Sequence, residues 1–295
     1  MARAPSKSTA VGAAKKPADA KKPGTAIVSW EQRLEADAQK LADSEKGGGL
    51  GKSFSFKAGI LSFDGAPIKG NKVAVIVAGS MHEKAFYEGR YDPNNPEPPV
   101  CFALAEDPDD LAPNPEDVAD MKHDNCADCP FNQWGSADTG RGKACKDVRR
   151  LELLPAGTIE KNGDVNLVNT ASAIAKAEGG YAKLPPTALN AWAAYAKSLN
   201  STLKRPPYGV FTMLEVEPDD TNQFRITFEA IDVIDGKLMD AVIARHDEAM
   251  EKLKQPYTYP TDEQKAQKKA ANTRGKPAAR GKPAAKGGAR SSRKY

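Results

Sequence analysis

All four cysteines of this 295-residue chain, Cys101, Cys126, Cys129 and Cys145, fall within residues 99–150, a stretch rich in Asp, Pro and Gly with no long apolar run. Thiolates are soft ligands that suit zinc, and a Cys-x-x-Cys turn directs two of them at one ion. Cys126-Ala127-Asp128-Cys129 has that spacing, and Cys101 and Cys145 on either side complete a tetrahedral shell. Four thiolates leave zinc no open position, so the predicted Zn2+ site is structural and not catalytic. Metal binding would supply folding energy to a segment with little core of its own. His123, three residues before Cys126, is the alternative metal ligand if Cys101 instead packs in a strand. An iron–sulfur cluster accepts the same four thiolates, although the spacing lacks a compact cysteine run.

The same stretch gathers aromatic and basic residues. Phe131 and Trp134 are candidates to stack on bases, and Arg141, Lys143, Lys146, Arg149 and Arg150 are candidates to line a phosphate backbone. The competing expectation is that both aromatics cover the metal and that the charges solvate a loop. Gly140-Arg141-Gly142-Lys143 lacks the P-loop form, and its glycines more simply let the chain turn toward Cys145.

The elements that must hold this segment flank it on both sides. Ser29 with Gln32 fits a capping box, so a helix is predicted over residues 27–49, ending at Gly47-Gly48-Gly49. Period-two alternation begins at Phe54 and runs to the Asp64-Gly65 turn, and Lys72 to Ala78 is a second strand. Residues 81–87 form either a helix or an edge strand. Beyond Cys145, strands are predicted around Leu151 to Leu154, Val165 to Val168, Tyr208 to Val216 and Gln223 to Ile231. Pro185-Pro186-Thr187 opens a helix that buries Trp192, and Leu238 to Leu253 is the last helix, with Val242, Ile243, Met250 and Leu253 toward the body. This inventory predicts an α+β fold. Its form would be an OB-like, partly open antiparallel β-barrel with peripheral helices and an inserted zinc subdomain at 99–150.

Charge divides the chain differently from apolarity. Residues 1–26 carry six basic residues against Asp19, and residues 264–295 carry eleven Lys or Arg and no acid. Such segments bury too little apolar surface to offset the entropy of ordering them, so basic disordered tails are expected at 1–26 and 256–295, flanking a core over 50–255. The formal charge of +4 therefore conceals an acidic middle, because residues 27–263 hold 26 basic and 38 acidic residues. Basic tails attract phosphate without reading sequence, whereas the middle repels it unless a local groove is positive. No apolar run of about 18 residues occurs, so no membrane span is predicted. The basic start lacks the hydrophobic stretch of a secretory signal and fits an organelle-targeting peptide poorly, which leaves a reducing cytoplasm as the expected setting for metal-binding thiols.

Pro99-Val100-Cys101-Phe102, Cys126-Ala127-Asp128-Cys129-Pro130, Trp134-Gly135-Ser136 and Gly142-Lys143-Ala144-Cys145 resemble elements of conserved tailed-bacteriophage proteins grouped with replication or recombination. The plan as a whole is similar to that of the zinc-containing single-stranded DNA-binding proteins of T4-like phages, whose OB-fold carries a zinc subdomain. The resemblance implies single-stranded DNA and phage replication or recombination proteins as partners, in the cytoplasm of an infected bacterial host. Those proteins use one histidine with three cysteines and an acidic C-terminal tail. This chain has four cysteines, His123 nearby and a basic tail.

The function expected is non-catalytic binding of single-stranded DNA. One alternative is a structural or protein-interaction factor tethered to DNA through its tails. Another is a metal-dependent nuclease or recombination enzyme built on Asp107, Asp109, Asp110, Asp219 and Asp220, although Asp-rich loops are normally solvated.

Overall fold

The computed structural model describes Leu34 and residues 51–89, 97–118 and 120–259. Leu34 aside, these fall within the compact unit that begins at Gly48. The expected helix over 27–49, and the basic segments 1–26 and 264–295, lie outside the described residues.

The fold is α+β, with one curled, open, mixed sheet and few helices. In chain order the main sheet uses β1 (Ser53–Ser55), β2 (Ser62–Phe63), β3 (Ala66–Pro67), β4 (Lys72–Phe86), β5 (Cys101–Ala105), β6 (Lys146–Pro155), β9 (Gly180–Leu184), β10 (Val210–Asp219) and β11 (Gln223–Val233). The order across it is β11-β10-β4-β6-β9-β1-β2-β3, with β5 added to β4 beyond the stretch that β10 covers. Strands β7 (Gly157–Ile159) and β8 (Val165–Leu167) form a separate hairpin. All contacts in the main sheet are antiparallel except β1 with β9, which makes the sheet mixed.

Strand β4 is the spine. Its fifteen residues pair with β6 along most of their length, with β10 at Lys72–Val75 and with β5 at His82–Phe86. The strand predicted for Lys72 to Ala78 thus continues through residues 81–86, the second of the two readings given for that stretch. The period breaks where the register shifts between Val77 and Gly79.

Two cores fill the two faces. On the inner face Phe54, Leu151, Leu153, Ala182, Val216 and Ile226 share one cluster, so strands from both ends of the order face the same interior. Gly59, beside β1, would place a Cβ 3.5 Å from Phe224 of β11, which shows how far the sheet curls. Helix α2 (Leu189–Thr202) closes this side with Trp192, Tyr195 and Leu199 buried, as predicted for Trp192. The Tyr195 hydroxyl meets Thr212 Oγ1 at 2.6 Å inside this core.

On the outer face α3 (Met239–Leu253) crosses β4 at Gly79, where a Cβ would stand 3.0 Å from Leu253 Cδ1 and 3.2 Å from Ala249 Cβ, so a larger residue would push the helix outward by a few tenths of an ångström. Val242, Ala249 and Leu253 are buried, but Ile243, expected to face the body, is 45% exposed. A short helix α1 (Ala171–Lys176), capped by the Thr170 side chain on the Ala173 N–H, packs on α3. Tyr257 and Tyr259, assigned by composition to the C-terminal tail, instead dock against Phe102 and the start of β5.

Candidate metal and nucleic-acid site

The cysteine region is anchored in the sheet at both ends. Cys101 opens β5 opposite Phe86, and Cys145 immediately precedes β6. Between them the chain leaves the sheet and returns Cys126 and Cys129 toward the same strands.

All four cysteines are buried, unpaired by disulfide, and line one small cavity of about 20 Å3 together with Lys84, Phe86 and Asn132. A volume of that order holds a single water-sized occupant. Burial pushes the Cys145 thiol up to about 12, and the other three sulfurs add to the rise. Burial likewise raises Cys126 to about 11, with Lys84 opposing. Burial raises Cys101 as well, opposed by the Lys122 backbone N–H and reinforced by Cys129. Each cysteine therefore lies within electrostatic range of the other three. They surround the cavity without forming a coordination shell: among the described residues, no group of three or more His, Cys, Asp or Glu side chains is placed so as to hold a metal ion.

Hydrogen bonds stiffen the Cys126–Asn132 turn. Asn132 Nδ2 donates to the Cys126 carbonyl at 2.6 Å, and Gln133 Nε2 donates to the Ala127 carbonyl at 3.1 Å. The Cys145 N–H donates to the Phe131 carbonyl at 2.8 Å, drawing the last cysteine to the turn. Lys84, projecting from β4 beside the thiols, donates to Asn132 Oδ1 at 2.8 Å and pairs with Asp147. Lys143 reaches the same two groups at 3.1 and 3.3 Å. Sequence reasoning missed Lys84 and Asn132. Lys84 alternates with His82 and Phe86, a signal that was readable once residues 81–87 were taken as a strand.

His123 sits on the cavity rim, exposed, with Nδ1 facing the Asn125 main chain at 3.0 Å from its oxygen and 3.2 Å from its nitrogen.

The expected nucleic-acid residues do not share one environment. Trp134 is 80% exposed. Its loop is folded back on itself, with the Gly135 N–H donating to the Gly142 carbonyl at 2.8 Å and Ser136 Oγ donating to the Phe131 carbonyl at 2.9 Å. Gly142, at φ +78°, lies under the indole, 3.9 Å from its Cζ3 to the position a Cβ would take. Arg141 and Lys146 are exposed, and the Lys146 ammonium rests on the Lys143 carbonyl at 2.5 Å. Phe131 packs on Phe86 with ring centroids 4.4 Å apart, so it lies with the thiol cluster and not in solvent.

Arg149 and Arg150 point to opposite faces of β6, as adjacent strand residues must. Arg149 lies opposite His82, on the face that carries Lys84 and Asp147. It has no ion-pair partner among the described residues, its Nε is buried without a hydrogen bond, and burial lowers its pKa to about 10. Arg150 corrects the expectation of a phosphate contact. Its side chain is 1% exposed and is bound to Glu83, the Leu253 carbonyl and the Gln255 carbonyl, which leaves it no path to a polyanion.

Two of the carboxylates considered for catalysis, Asp107 and Asp219, serve turns. Asp107 accepts from the Asp109 N–H at 2.9 Å, and Asp219 accepts from the Thr221 and Asn222 N–H groups at 3.0 and 2.8 Å in the β10–β11 turn. Among the described residues no helix is long and apolar enough to cross a membrane. No protein-family model, curated protein or solved structure matches the chain.

Proposed function

We propose that this protein binds single-stranded DNA without catalysing a reaction on it, and that Cys101, Cys126, Cys129 and Cys145 hold one structural zinc ion. The observation that carries the reading is Trp134: a large aromatic ring, 80% exposed, on a loop tied down by hydrogen bonds, in a segment that also carries exposed Arg141 and Lys146. Leaving an indole in water gains nothing for folding. A flat ring beside cations is the surface on which bases stack.

Arg149 supports the same reading, as a cation with no carboxylate partner among the described residues, on the sheet face that bears the thiols. The zinc assignment rests on the donor set. Four soft sulfurs line one cavity of single-ion size, and the Lys84 ammonium beside them would offset the negative charge that four thiolates bring. Zinc binding would release the thiol protons and fasten the Trp134 loop to β5 and β6. The curled sheet is read as an OB-like barrel left partly open, and residues 99–150 as its zinc-binding insertion. A role in phage replication or recombination is what the resemblance of the cysteine-region motifs to that group implies.

The test is equilibrium binding of a fluorescent oligonucleotide to the full-length protein, single-stranded and then duplex, with Trp134→Ala beside the wild type. A single-strand preference that drops about ten-fold on Trp134→Ala, with zinc content unchanged, is expected from the ~1–3 kcal/mol of one stacked base. Equal affinity for both forms and no effect of the substitution would favour the second reading, a factor tethered to DNA through basic tails. The 38 acids against 26 bases in residues 27–263 are what support that second reading.

A further inference from the structure

Arg149 of β6 and His82 of β4 lie directly opposite each other, so their Cβ atoms stand about 4.5–5.5 Å apart on one face of the sheet. On that face the next pair toward the core is Ser80 with Leu151, and the next toward the thiols is Lys84 with Asp147. The His82–Arg149 pair therefore sits where the apolar interior ends and the polar surroundings of the cysteines begin.

Neither residue is satisfied there. Among the described residues His82 makes no hydrogen bond, whereas the rings of His123 and His246 each meet a main-chain oxygen, at 3.0 and 2.7 Å. Arg149 Nε is buried without a partner, and the two Nη atoms, which also lack one among the described residues, are not buried, so the end of the fork reaches solvent. The other arginines that the fold covers are all answered: Arg150 by Glu83, Arg205 by the Ile234 carbonyl, and Arg245 by Glu248 and the Ala177 carbonyl. The nearest carboxylate on the same face, Asp147, is held by Lys84 and by Lys143 at 3.3 Å. Around His82, Asp107 and Asp147 oppose Arg149 and Lys84, but no carboxylate offsets the burial of Arg149 itself. A half-buried cation without a counter-charge destabilises the fold, and unsatisfied groups of this kind gather where ligands bind.

The donor set narrows the ligand. Burial and Arg149 keep the His82 ring neutral at neutral pH, so it donates a hydrogen bond without adding charge. Two Nη–H groups of a planar fork, with one imidazole N–H beside them, make three donors. A carboxylate or an internal phosphodiester presents two free oxygens, whereas a terminal phosphomonoester presents three and carries the larger charge.

We propose that Arg149 and His82 form a subsite for one terminal phosphate group, with the Arg149 fork taking two oxygens and a His82 ring N–H the third. In taking the end of a DNA strand as the ligand, it rests on the DNA reading above; inorganic phosphate probes the subsite without that reading.

The chain has three histidines, so NMR of the full-length protein can follow each ring, with His82→Gln, His123→Gln and His246→Gln assigning the signals. Inorganic phosphate, compared with chloride and acetate at equal ionic strength, should shift the His82 signals saturably and leave His123 and His246 in place. Arg149→Gln should weaken that response about ten-fold or more, and Arg149→Lys, which keeps the charge without the fork, by less. No shift of His82 in the wild type, an equal shift with acetate, or a full response in Arg149→Gln would overturn the subsite. A single strand bearing a terminal phosphate should bind about ten-fold tighter than the same strand without it, and Arg149→Gln should erase the difference. Equal affinities in the wild type would overturn the assignment to strand ends. Loss of all oligonucleotide binding, with the response to inorganic phosphate intact, would sink the DNA reading and leave the subsite standing.

Discussion

Arg150 donates its Nε–H to Glu83 Oε2 at 2.7 Å from the neighbouring strand, with both side chains at most 1% exposed. Lys183 meets the other carboxylate oxygen at 2.8 Å, and the Tyr257 hydroxyl donates to that same atom at 2.5 Å. The Arg150 guanidinium also lies 4.8 Å from the Tyr257 ring and holds the carbonyls of Leu253 and Gln255. Burial alone would raise the Glu83 carboxyl, but Lys183 and Arg150 outweigh it and hold the group ionised. One buried charge network thus fastens β4, β6 and β9 to the chain that leaves α3.

Breaking this network from one side should cost far more than removing it whole. Arg150→Met leaves Glu83 buried with its Oε2 unpartnered and only Lys183 and the Tyr257 hydroxyl on the other oxygen, and we expect a loss of about 3–5 kcal/mol. Glu83→Leu combined with Arg150→Met should recover most of that loss, as apolar replacements of buried pairs often do. Denaturant titration of the two variants decides it. A double variant less stable than the single one would show that the pair stabilises the fold outright.

The thiol cluster yields a prediction independent of DNA. Purified protein should contain one zinc per chain, and Cys145→Ser should lose it, because Cys145 supplies one of the four sulfurs that line the cavity and joins the turn to β6. Chelation should speed amide exchange across residues 106–145 while β10 and β11, which bury their own core, stay protected. Elemental analysis with exchange mass spectrometry measures both. A metal-free wild-type protein with residues 106–145 fully protected would refute the assignment.

The cysteines were legible because chemistry marks them: four thiols in one segment need no fold to be grouped. The long strands were legible where period two is unbroken, as in Thr212, Leu214 and Val216 of β10. Strand β5 was not, since its five residues sit between an Asn/Pro-rich approach and an Asp-rich loop and leave too short a period to see. The parallel match of Phe54 with Ala182 was beyond any local signal. Arg149 and Arg150 looked like one basic patch because adjacency in sequence was taken for adjacency in space. In a strand, neighbours part to opposite faces, and one of the two arginines became core.

His82 makes stability depend on pH in a stated direction. Burial, then the facing Arg149, push its pKa down from 6.5 to about 4, so the unfolded chain takes up the proton first. Its contribution is complete above about pH 6.5 and is lost as pH falls from there toward 4. His82 is half-buried, so solvent screening should cut the loss to about 1 kcal/mol, well below the roughly 3 kcal/mol of an unscreened shift. Urea unfolding of His82→Gln at neutral and mildly acid pH should show a flatter profile than the wild type. Parallel profiles would remove His82 from the acid response.

The split between exposed and buried cations should appear in the salt dependence of DNA binding. Each phosphate contact to a single strand contributes about 0.7 to the slope of log K against log salt. Arg141→Gln and Lys146→Gln, both exposed and in the same segment as Trp134, should each lower the slope by about that amount while leaving stability within about 0.5 kcal/mol. Arg149→Gln should also lower it, since its charge has no partner in the fold among the described residues. Arg150→Met with Glu83→Leu should leave the slope unchanged, because that guanidinium is spent inside the sheet. Slopes that respond only to neutralising residues 264–295 would move the entire phosphate contact to the tail and leave Trp134 without a role.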